Sequence, residues 1–354
     1  MYTFFINIYN VCHPVILCIL ENIPNFVLPN PSFAVMKNVM LIINPIAGTG
    51  KKDNLASLAE NRLAQVGMSV DVRFTTGKGD ATELAAQAVR DGYYGVIAAG
   101  GDGTINETAI ALCNTEVPLG IIPCGSGNGL ARHFGIQMDA ESAVEIISHD
   151  NIRDVDYGTV NGKDFFCTCG VGFDAAVSDR FARQHHRGLI MYLKSAVEAY
   201  LNFSRTDYVI YANGKVLTER AFLVACCNTT QYGNNAYIAP KADISDGLLD
   251  VTIMHGGNII EDAKAGLSLM SAEFDNNIGI DTFKASEIRI VRKTDGPAHV
   301  DGEPVELPRE LNVLCHHNGL KVFTPLYIEP VTPFVTPIMS RWEDFVNSIN
   351  HLLR

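Results

Sequence analysis

Residues 100–107 combine an aspartate, three glycines and a helix-starting pattern directly after the apolar run at 94–99. They read Gly-Gly-Asp-Gly-Thr-Ile-Asn-Glu. Three glycines in four positions let a backbone approach a bulky anion closely and turn through positive φ. Thr104 and Glu107 fit a capping box, so we expect a helix to begin there with free amide donors facing a ligand. Asp102 is a candidate for magnesium or proton chemistry beside a phosphate, the alternative being a solvated aspartate in a tight turn.

Two further glycine-rich turns follow predicted strands in the same half of the chain. Residues 44–51 read Asn-Pro-Ile-Ala-Gly-Thr-Gly-Lys and lack the spacing of a P-loop, and residues 123–132 read Pro-Cys-Gly-Ser-Gly-Asn-Gly-Leu-Ala-Arg. In a doubly wound sheet, turns of this kind meet outside the carboxyl ends of the strands, where ligands bind. Three such turns together predict a nucleotide phosphate site.

The elements that must position these turns alternate between strand and helix from residue 36 to about 150. Such alternation implies right-handed crossovers and a doubly wound parallel sheet with helices on both faces. We therefore expect an α/β fold for this part of the chain. Strands are predicted at 39–43, 69–74, 96–99 and 119–122, and helices at 54–66, at 80–91, from Thr104 onward and at 139–148.

The chain becomes rich in predicted strands after about residue 155, which indicates a β-sandwich-like second domain. Hairpin turns are expected at Asn213-Gly214 and Asn318-Gly319, and one helix over 187–203. We place the nucleotide-binding domain at 36–152 and the β-rich domain at 153–327, with an end that can return to the first domain. A tail with a short helix follows at 328–354.

The first 35 residues differ in character from the rest, because they contain no Lys or Arg. A secretory signal peptide needs a basic segment before its apolar run, and the apolar run at 15–20 is too short to span a membrane. We interpret Met36 as the natural start and residues 1–35 as a non-native or accessory extension. A membrane-touching extension is the alternative.

Composition and charge restrict the class of partner. The chain has 354 residues and a formal net charge of −12, which argues against binding to nucleic acid. Its nine cysteines show no metal-binding spacing, which is typical of reduced thiols in a cytosolic protein. Residues 180–194 carry four basic side chains among apolar and aromatic ones. This stretch could lie on an anionic bilayer, or it could be the solvated basic face of a core helix.

Several motifs occur in an order that is specific to one group of enzymes. They are Asn-Pro-x-Ala-Gly at 44–48, Thr-Thr-x-x-Gly-Asp-Ala at 75–81, the string at 100–107, Gly-Ser-Gly-Asn at 125–128, Gly-Phe-Asp-Ala at 172–175, Asp-Gly-Leu-Leu-Asp at 246–250 and Asp-Gly-Glu at 301–303. From Met36 to about Tyr327 the chain resembles bacterial lipid kinases with a diacylglycerol-kinase-type catalytic domain and, more distantly, sphingosine kinases. Gly129 stands where many of these bacterial proteins have an aspartate, a variant that leans toward sphingosine or ceramide kinases.

The resemblance implies roles for individual residues. Glu303 would take the proton from the lipid hydroxyl, and Asp102 would act on the phosphates or their magnesium. Sphingosine kinases are thought to use the aspartate of the Gly-Asp-Gly turn as base, so the choice between the two stays open. Asp174 would contact the polar head of the lipid, a loop or helix-cap role being the alternative. The implied ATP site comprises Asn44, Thr75, Gly100, Gly101, Asp102, Gly103, Thr104, Ile105, Asn106, Gly125 and Ser126.

A structural magnesium is also implied, held by Asp246 and by the carbonyl oxygens of Asp243 and Leu248. From the residues alone, the Asp-Gly dipeptides at 246 and 301 are each ordinary hairpin turns. Hard oxygen ligands nevertheless suit magnesium, and a carboxylate is a plausible acceptor for the proton of an alcohol.

The sequence therefore predicts an ATP- and Mg²⁺-dependent lipid kinase acting on diacylglycerol, a sphingoid base or ceramide. The alternatives are a soluble-substrate kinase of the NAD kinase type, against which the late carboxylate motifs argue, and a non-catalytic nucleotide or lipid sensor. The expected partners are the lipid substrate and, transiently, a membrane surface; a homodimer stays open. We expect a cytoplasmic protein at the inner face of the membrane.

Overall fold

The computed structural model describes residues 36–48, 54–125, 127–182, 203, 205–232, 236–257 and 279–328. Several predictions fall on other residues and lie outside the described part. These are the extension at 1–35, Ser126, the helix at 187–203 apart from Phe203, most of the basic stretch at 180–194, and the helix of the C-terminal tail.

The N-terminal part is a parallel sheet with helices between its strands. Its strands lie side by side in the order β2-β1-β3-β4, and every pair is parallel. The run that forms β3 is buried along its whole length, as expected for a strand covered on both faces. The elements are β1 (Lys37–Ile43), α1 (Leu55–Ala64), β2 (Met68–Phe74), α2 (Asp80–Arg90), β3 (Gly95–Gly100), α3 (Asp102–Leu112), β4 (Leu119–Pro123), α4 (Gly129–His133) and α5 (Ala140–Ser148).

Apart from one helix, the regular elements of the remaining described residues are strands. The second sheet has the order β12-β11-β10-β7-β14-β15, and its pairs are antiparallel. The elements are β5 (Ile152–Val160), β6 (Lys163–Phe165), β7 (Thr168–Gly172), α6 (Phe173–Ala182), β8 (Thr206–Ala212), β9 (Lys215–Ala221), β10 (Leu223–Cys227), β11 (Leu249–Met254), β12 (Ile280–Ala285), β13 (Glu287–Arg292), β14 (Gly296–Val300), β15 (Glu303–Leu307) and β16 (Glu310–Phe323).

Among the described residues, two large apolar cores follow from this arrangement, beside a smaller cluster that includes Phe222, Ile238 and Met254. The first lies around the parallel strands and their helices, and the second lies between the antiparallel sheet and the β8-β13-β16 part of the other sheet. Packing two antiparallel layers face to face is the architecture of a β-sandwich. The predicted fold class, a parallel α/β domain followed by a β-sandwich, is therefore confirmed.

The long strand β16 belongs to both parts. Near its start, Val313 lies opposite Ile288 of β13, and near its end Val322 lies opposite Leu119 of β4. Between these points the pairing of β16 with β5 shifts register between His316 and Leu320. The predicted hairpin turn at Asn318-Gly319 is wrong. Asn318 does have a positive φ of 54°, but the chain continues in the same strand through a bulge.

Candidate active site

The three glycine-rich turns lie together at the carboxyl ends of β1, β3 and β4. Asn44, which follows β1, donates from Nδ2 to the Oγ1 atom of Thr104 at 2.9 Å, and this bond ties the first turn to the second. The backbone N–H of Cys124 donates to the carbonyl of Gly100 at 2.7 Å and ties the second turn to the third. The predicted meeting of the three turns is thus observed.

Glycine is required in these turns because their backbones nearly touch. A Cβ atom at Gly125 would lie 2.8 Å from the Cα atom of Gly101, and a Cβ at Gly48 would lie 1.9 Å from the carbonyl oxygen of Cys124. Both distances are shorter than any normal contact, so a side chain at either position would separate the turns. The loops therefore form a surface of exposed backbone, which suits a phosphate chain.

The helix after the second turn begins earlier than predicted. α3 starts at Asp102 with Gly101 at the N-cap, and Thr104 lies inside the helix with its hydroxyl bonded to Asn44. The predicted capping box of Thr104 and Glu107 is therefore wrong. None of the glycines at 100, 101 and 103 has a positive φ, so backbone conformation does not require them. Close approach does require Gly100, because a Cβ there would lie 2.5 Å from the side chain of Thr104.

The carboxylate of Asp102 holds the third turn in place. Its Oδ2 atom accepts the backbone N–H of Asn128, and its Oδ1 atom accepts that of Gly129, both at 2.8 Å. These two amides are at the start of α4, so Asp102 caps that helix from a distance in sequence. A Cβ at Gly129 would lie only 3.2 Å from the Sγ atom of Cys167, which explains the small residue there.

Glu303 lies over the first turn of α3. A Cβ atom added to Gly103 would be 4.0 Å from the Oε1 atom of Glu303, and Gly103 itself is exposed. On the other side, Lys78 Nζ is 3.4 Å from Glu303 Oε2, and both side chains are more than half exposed. Such an exposed ion pair adds little stability, so both groups remain available to a substrate. The structure thus brings together Glu303, Lys78 and the N-terminus of α3.

Asp301, two residues before Glu303, is bound from both parts of the protein. It accepts the backbone N–H groups of Phe166, Cys167 and Thr168 at 2.8–2.9 Å and the Nδ2 of Asn106 at 2.9 Å. Burial raises the pKa of the Asp301 carboxyl to about 6, against the opposing effect of the amide donors.

Asp174 is buried inside the β-rich part and accepts hydrogen bonds there. It is 6% exposed, and its Oδ2 atom accepts from the His299 ring and from the Tyr232 hydroxyl, each at 3.0 Å. Its Oδ1 atom accepts the N–H of Ala175 at 2.8 Å. Asp174 therefore belongs to a buried hydrogen-bond network, and its predicted contact with the lipid stays a prediction.

The turn implied to hold magnesium has its charge balanced by a lysine. Asp246 accepts from the Leu248 N–H at 3.0 Å and from Lys284 Nζ at 2.6 Å, while Asp243 accepts from the N–H and hydroxyl of Ser245. No group of three or more His, Cys, Asp or Glu side chains among the described residues could hold a metal ion. The predicted magnesium site, which would use Asp246 with the carbonyl oxygens of Asp243 and Leu248, stays a prediction.

The other residues of the predicted ATP site differ in whether their backbone is accessible to a ligand. Thr75 is buried at the end of β2, with its N–H donated to the carbonyl of Ile43 at 3.0 Å. Ile105 is buried in the first core, and its N–H donates to the carbonyl of Gly101 within the helix. Neither presents a free N–H to a ligand, whereas Gly103 lies exposed in the first turn of α3.

Comparison with known proteins identifies the family. Residues 38–160 match the diacylglycerol kinase catalytic domain, and residues 167–323 match the YegS C-terminal NAD kinase beta sandwich-like domain. A diacylglycerol kinase of Mycobacterium tuberculosis is 33% identical over 224 residues, which cover 61% of this chain and 72% of that protein. The chain belongs to the diacylglycerol kinase family.

Other members of the diacylglycerol kinase family match over more of the chain. A diacylglycerol kinase of Bacillus subtilis is 28% identical over 274 residues, 76% of this chain and 90% of that protein. The crystal structure of a diacylglycerol kinase from Bacillus anthracis superimposes with a TM-score of 0.68 at 21% identity, covering 83% of this chain and 98% of that one. This structural likeness supports the fold. In the described ranges of this family member, no helix combines the length and apolar character needed to cross a bilayer.

Sequence reasoning did not assign three side chains that the structure places at the site. Asp301 was interpreted only as part of a turn motif, and Lys78 and His299 were not singled out. Lys78 does have a sequence signal, because it lies between Gly77 and Gly79 in a turn after a predicted parallel strand, where ligands of such sheets bind. The partners of Asp301 lie 133 to 195 residues away, so no local pattern could reveal them.

Proposed function

We propose that the protein is an ATP- and Mg²⁺-dependent lipid kinase that transfers the γ-phosphate of ATP to a lipid hydroxyl. The acceptor would be of the diacylglycerol, sphingoid base or ceramide type. The observation that carries the proposal is the position of the Glu303 carboxylate over the first turn of α3, next to the interlocked glycine turns. Membership of the diacylglycerol kinase family supports it.

In this mechanism the triphosphate lies on the glycine turns and at the N-terminus of α3, whose amides favour negative charge. Glu303 accepts the proton of the lipid hydroxyl as its oxygen attacks the γ-phosphorus. The bond from that phosphorus to the bridging oxygen of ADP breaks, and ADP leaves with the electron pair. Lys78, 3.4 Å from Glu303, supplies a positive charge beside the group being transferred.

Glu303 is a better candidate for the base than Asp102. Both oxygens of Asp102 accept backbone N–H groups that hold the third turn, so protonating this carboxylate would weaken those bonds. Glu303 has an exposed carboxylate whose partner is a single exposed lysine. Magnesium enters this proposal as the cation that accompanies ATP, and no step is assigned to the turn at 243–248.

A lipid acceptor is reached at a bilayer, so we also propose transient contact with the inner face of the membrane. The decisive assay offers purified protein and labelled ATP with diacylglycerol, sphingoid base, ceramide or NAD, the lipids being presented in anionic vesicles. We expect label in one lipid class. Label in NAD alone, or in no acceptor while nucleotide binding is intact, would contradict the proposal.

Replacing the base gives a sharper test. Glu303→Gln should lower turnover by about 10²- to 10⁴-fold with little change in ATP affinity, because general-base catalysis contributes that much. Glu306→Gln is the matched control, since Glu306 lies on the same strand and is exposed. If Glu303→Gln keeps near-normal turnover, the base is elsewhere, and Asp102→Asn becomes the next variant to measure.

A further inference from the structure

The turn that presents Glu303 is the two-residue hairpin turn between β14 and β15. Asp301 has a φ of 49° and Gly302 a φ of 79°, so two successive residues are left-handed, and the first of them is not glycine. Asp-Gly is a preferred pair for this conformation, because Asp tolerates the left-handed region better than most residues with a Cβ.

Three backbone amides already satisfy Asp301 within the β-rich part. The N–H groups of Phe166, Cys167 and Thr168 surround its carboxylate, and the N–H of Asp301 donates in return to the carbonyl of Thr168 at 2.8 Å. A second contact holds the same turn, because the N–H of Gly302 points to the Nδ1 atom of His299 at 3.4 Å. His299 is in turn anchored on Asp174. The turn is thus fixed to the second sheet without help from the first domain.

The fourth donor to Asp301 comes from the nucleotide-binding part. Asn106 lies on α3, one turn of helix after Asp102, and donates from Nδ2 to the Oδ2 atom of Asp301 at 2.9 Å. Because Asp301 has three amide donors already, this bond is not needed to satisfy its charge. Its geometric effect is to fix the distance between α3 and the turn that carries Glu303.

We infer that Asn106 and Asp301 are positioning residues that dock the Glu303 turn on α3. Asn106 then sets the height of the Glu303 carboxylate over the helix N-terminus, where the γ-phosphate would lie. This inference rests on the proposed function. It also gives Asn106 a different role from the ATP contact that the sequence resemblance implies.

The test measures turnover, the KM for ATP and nucleotide affinity for two variants of the full chain. Asn106→Ala should lower kcat by about tenfold or more with the KM for ATP and the nucleotide Kd nearly unchanged. Asn106→Asp should lower kcat further, because it places two carboxylates within hydrogen-bond distance, and it should regain activity as the pH falls and one proton is shared.

The matched control removes a similar bond at the other end of the same helix. Asn114, just after α3, donates from Nδ2 to the Tyr157 hydroxyl at 3.0 Å, and Tyr157→Phe deletes this bond while keeping the ring. We expect this control to keep kcat within about twofold, because it removes one partly buried hydrogen bond far from the chemistry. A loss of nucleotide affinity at constant kcat in Asn106→Ala, or equal losses of kcat in all variants including Tyr157→Phe, would overturn the inference.

A second measurement keeps the inference separate from the proposed function. Asn106→Ala, Asp301→Asn and the double variant form a cycle whose readout is the unfolding temperature, which needs no lipid. Shifts that are clearly non-additive support the docking contact even if the wild type phosphorylates none of the lipids offered. Additive shifts would contradict the contact, whatever the activity of the wild type.

Discussion

At the scale of single residues, burial shifts the pKa values of two titratable groups near the site in opposite directions. Burial lowers the pKa of His133 to about 4, and burial raises that of the Asp301 carboxyl to about 6. His133 has its Nδ1 atom 3.3 Å from the N–H of Thr230, so it joins α4 to the β-rich part as a neutral acceptor. In both groups the loss of hydration of the charged form outweighs the contacts that favour it, namely the charge of Asp243 near His133 and the amide donors to Asp301.

The sign of each effect on stability follows from the displaced pKa. The unfolded chain binds a proton at His133 below about pH 6.5 and the folded protein only below about 4, so this group destabilises the fold as the pH falls through that window. Asp301 acts in the other direction, because its raised pKa contributes stability below about pH 4 that is lost as the pH rises through about 6. The pH-dependent contributions of His133 and Asp301 to the free energy of unfolding therefore partly cancel in the wild type.

His133→Gln should therefore become more stable relative to the wild type as the pH is lowered from 6.5 to 4, by up to about 3 kcal/mol. Urea unfolding at a series of pH values measures this difference, with exposed His149→Gln as the control. A difference that is flat with pH would show that His133 gains its proton without opposing the fold.

At the scale of elements, short-range patterns in the sequence predicted most of the strands and the meeting of the three glycine turns. These patterns gave wrong predictions where a residue distant in sequence forms a hydrogen bond that local spacing does not reveal. Thr104 fits an N-cap by its spacing to Glu107, but Asn44, which follows β1, donates to its hydroxyl, and the helix has its N-cap at Gly101. Asn318-Gly319 fits a hairpin, but the carbonyl of Gly319 accepts the N–H of Asn114 and the strand runs on.

The antiparallel pair β11 and β12 places a lysine against two aspartates. Lys284 lies directly opposite Asp250, and its Nζ is 2.6 Å from Asp246 Oδ2 and 3.3 Å from Asp250 Oδ2. Burial raises the pKa of Asp250, and it would lower that of Lys284, but hydrogen bonds and the charges of both aspartates outweigh this and raise the Lys284 pKa.

Lys284→Met should lower the free energy of unfolding by about 1–2 kcal/mol, because it leaves Asp250 largely buried without a counter-charge. Exposed Lys215→Met on β9 is the control. The unfolding temperature of both proteins should be measured with Mg²⁺ and with a chelator. If Mg²⁺ raises the unfolding temperature of Lys284→Met alone, Lys284 supplies the positive charge at this turn in the wild type. If Mg²⁺ raises the unfolding temperature of the wild type equally, a cation binds there beside Lys284.

At the scale of the whole molecule, the two apolar cores share one strand. Leu311 and Val313 of β16 lie in the sandwich core, whereas Leu320, Val322 and Phe323 of the same strand lie in the core of the parallel sheet. The sequence indicated that the end of the chain can return to the first domain, but the register that places each half of β16 depends on pairing with distant strands. The hydrophobic periodicity of the sequence does not predict which distant strands pair with β16.

A shared strand should make unfolding cooperative. We expect a single calorimetric transition whose van't Hoff and calorimetric enthalpies agree, and a nucleotide that binds the glycine turns should shift all of it to higher temperature. Hydrogen exchange of β3 and of β10, one in each core, checks this at residue level. Two resolved transitions, or protection by nucleotide confined to β3, would show that the cores unfold independently.

The place of β16 in the chain also governs how the protein can be made. On the ribosome, β4 emerges long before β16, and until then its outer edge has no partner and the first core lacks the side chains of Leu320, Val322 and Phe323. Open strand edges invite pairing with other chains. The nucleotide-binding part therefore cannot finish folding as it is synthesised but must wait for the sandwich, and a nascent chain stopped before residue 310 should be a substrate for chaperones or proteases.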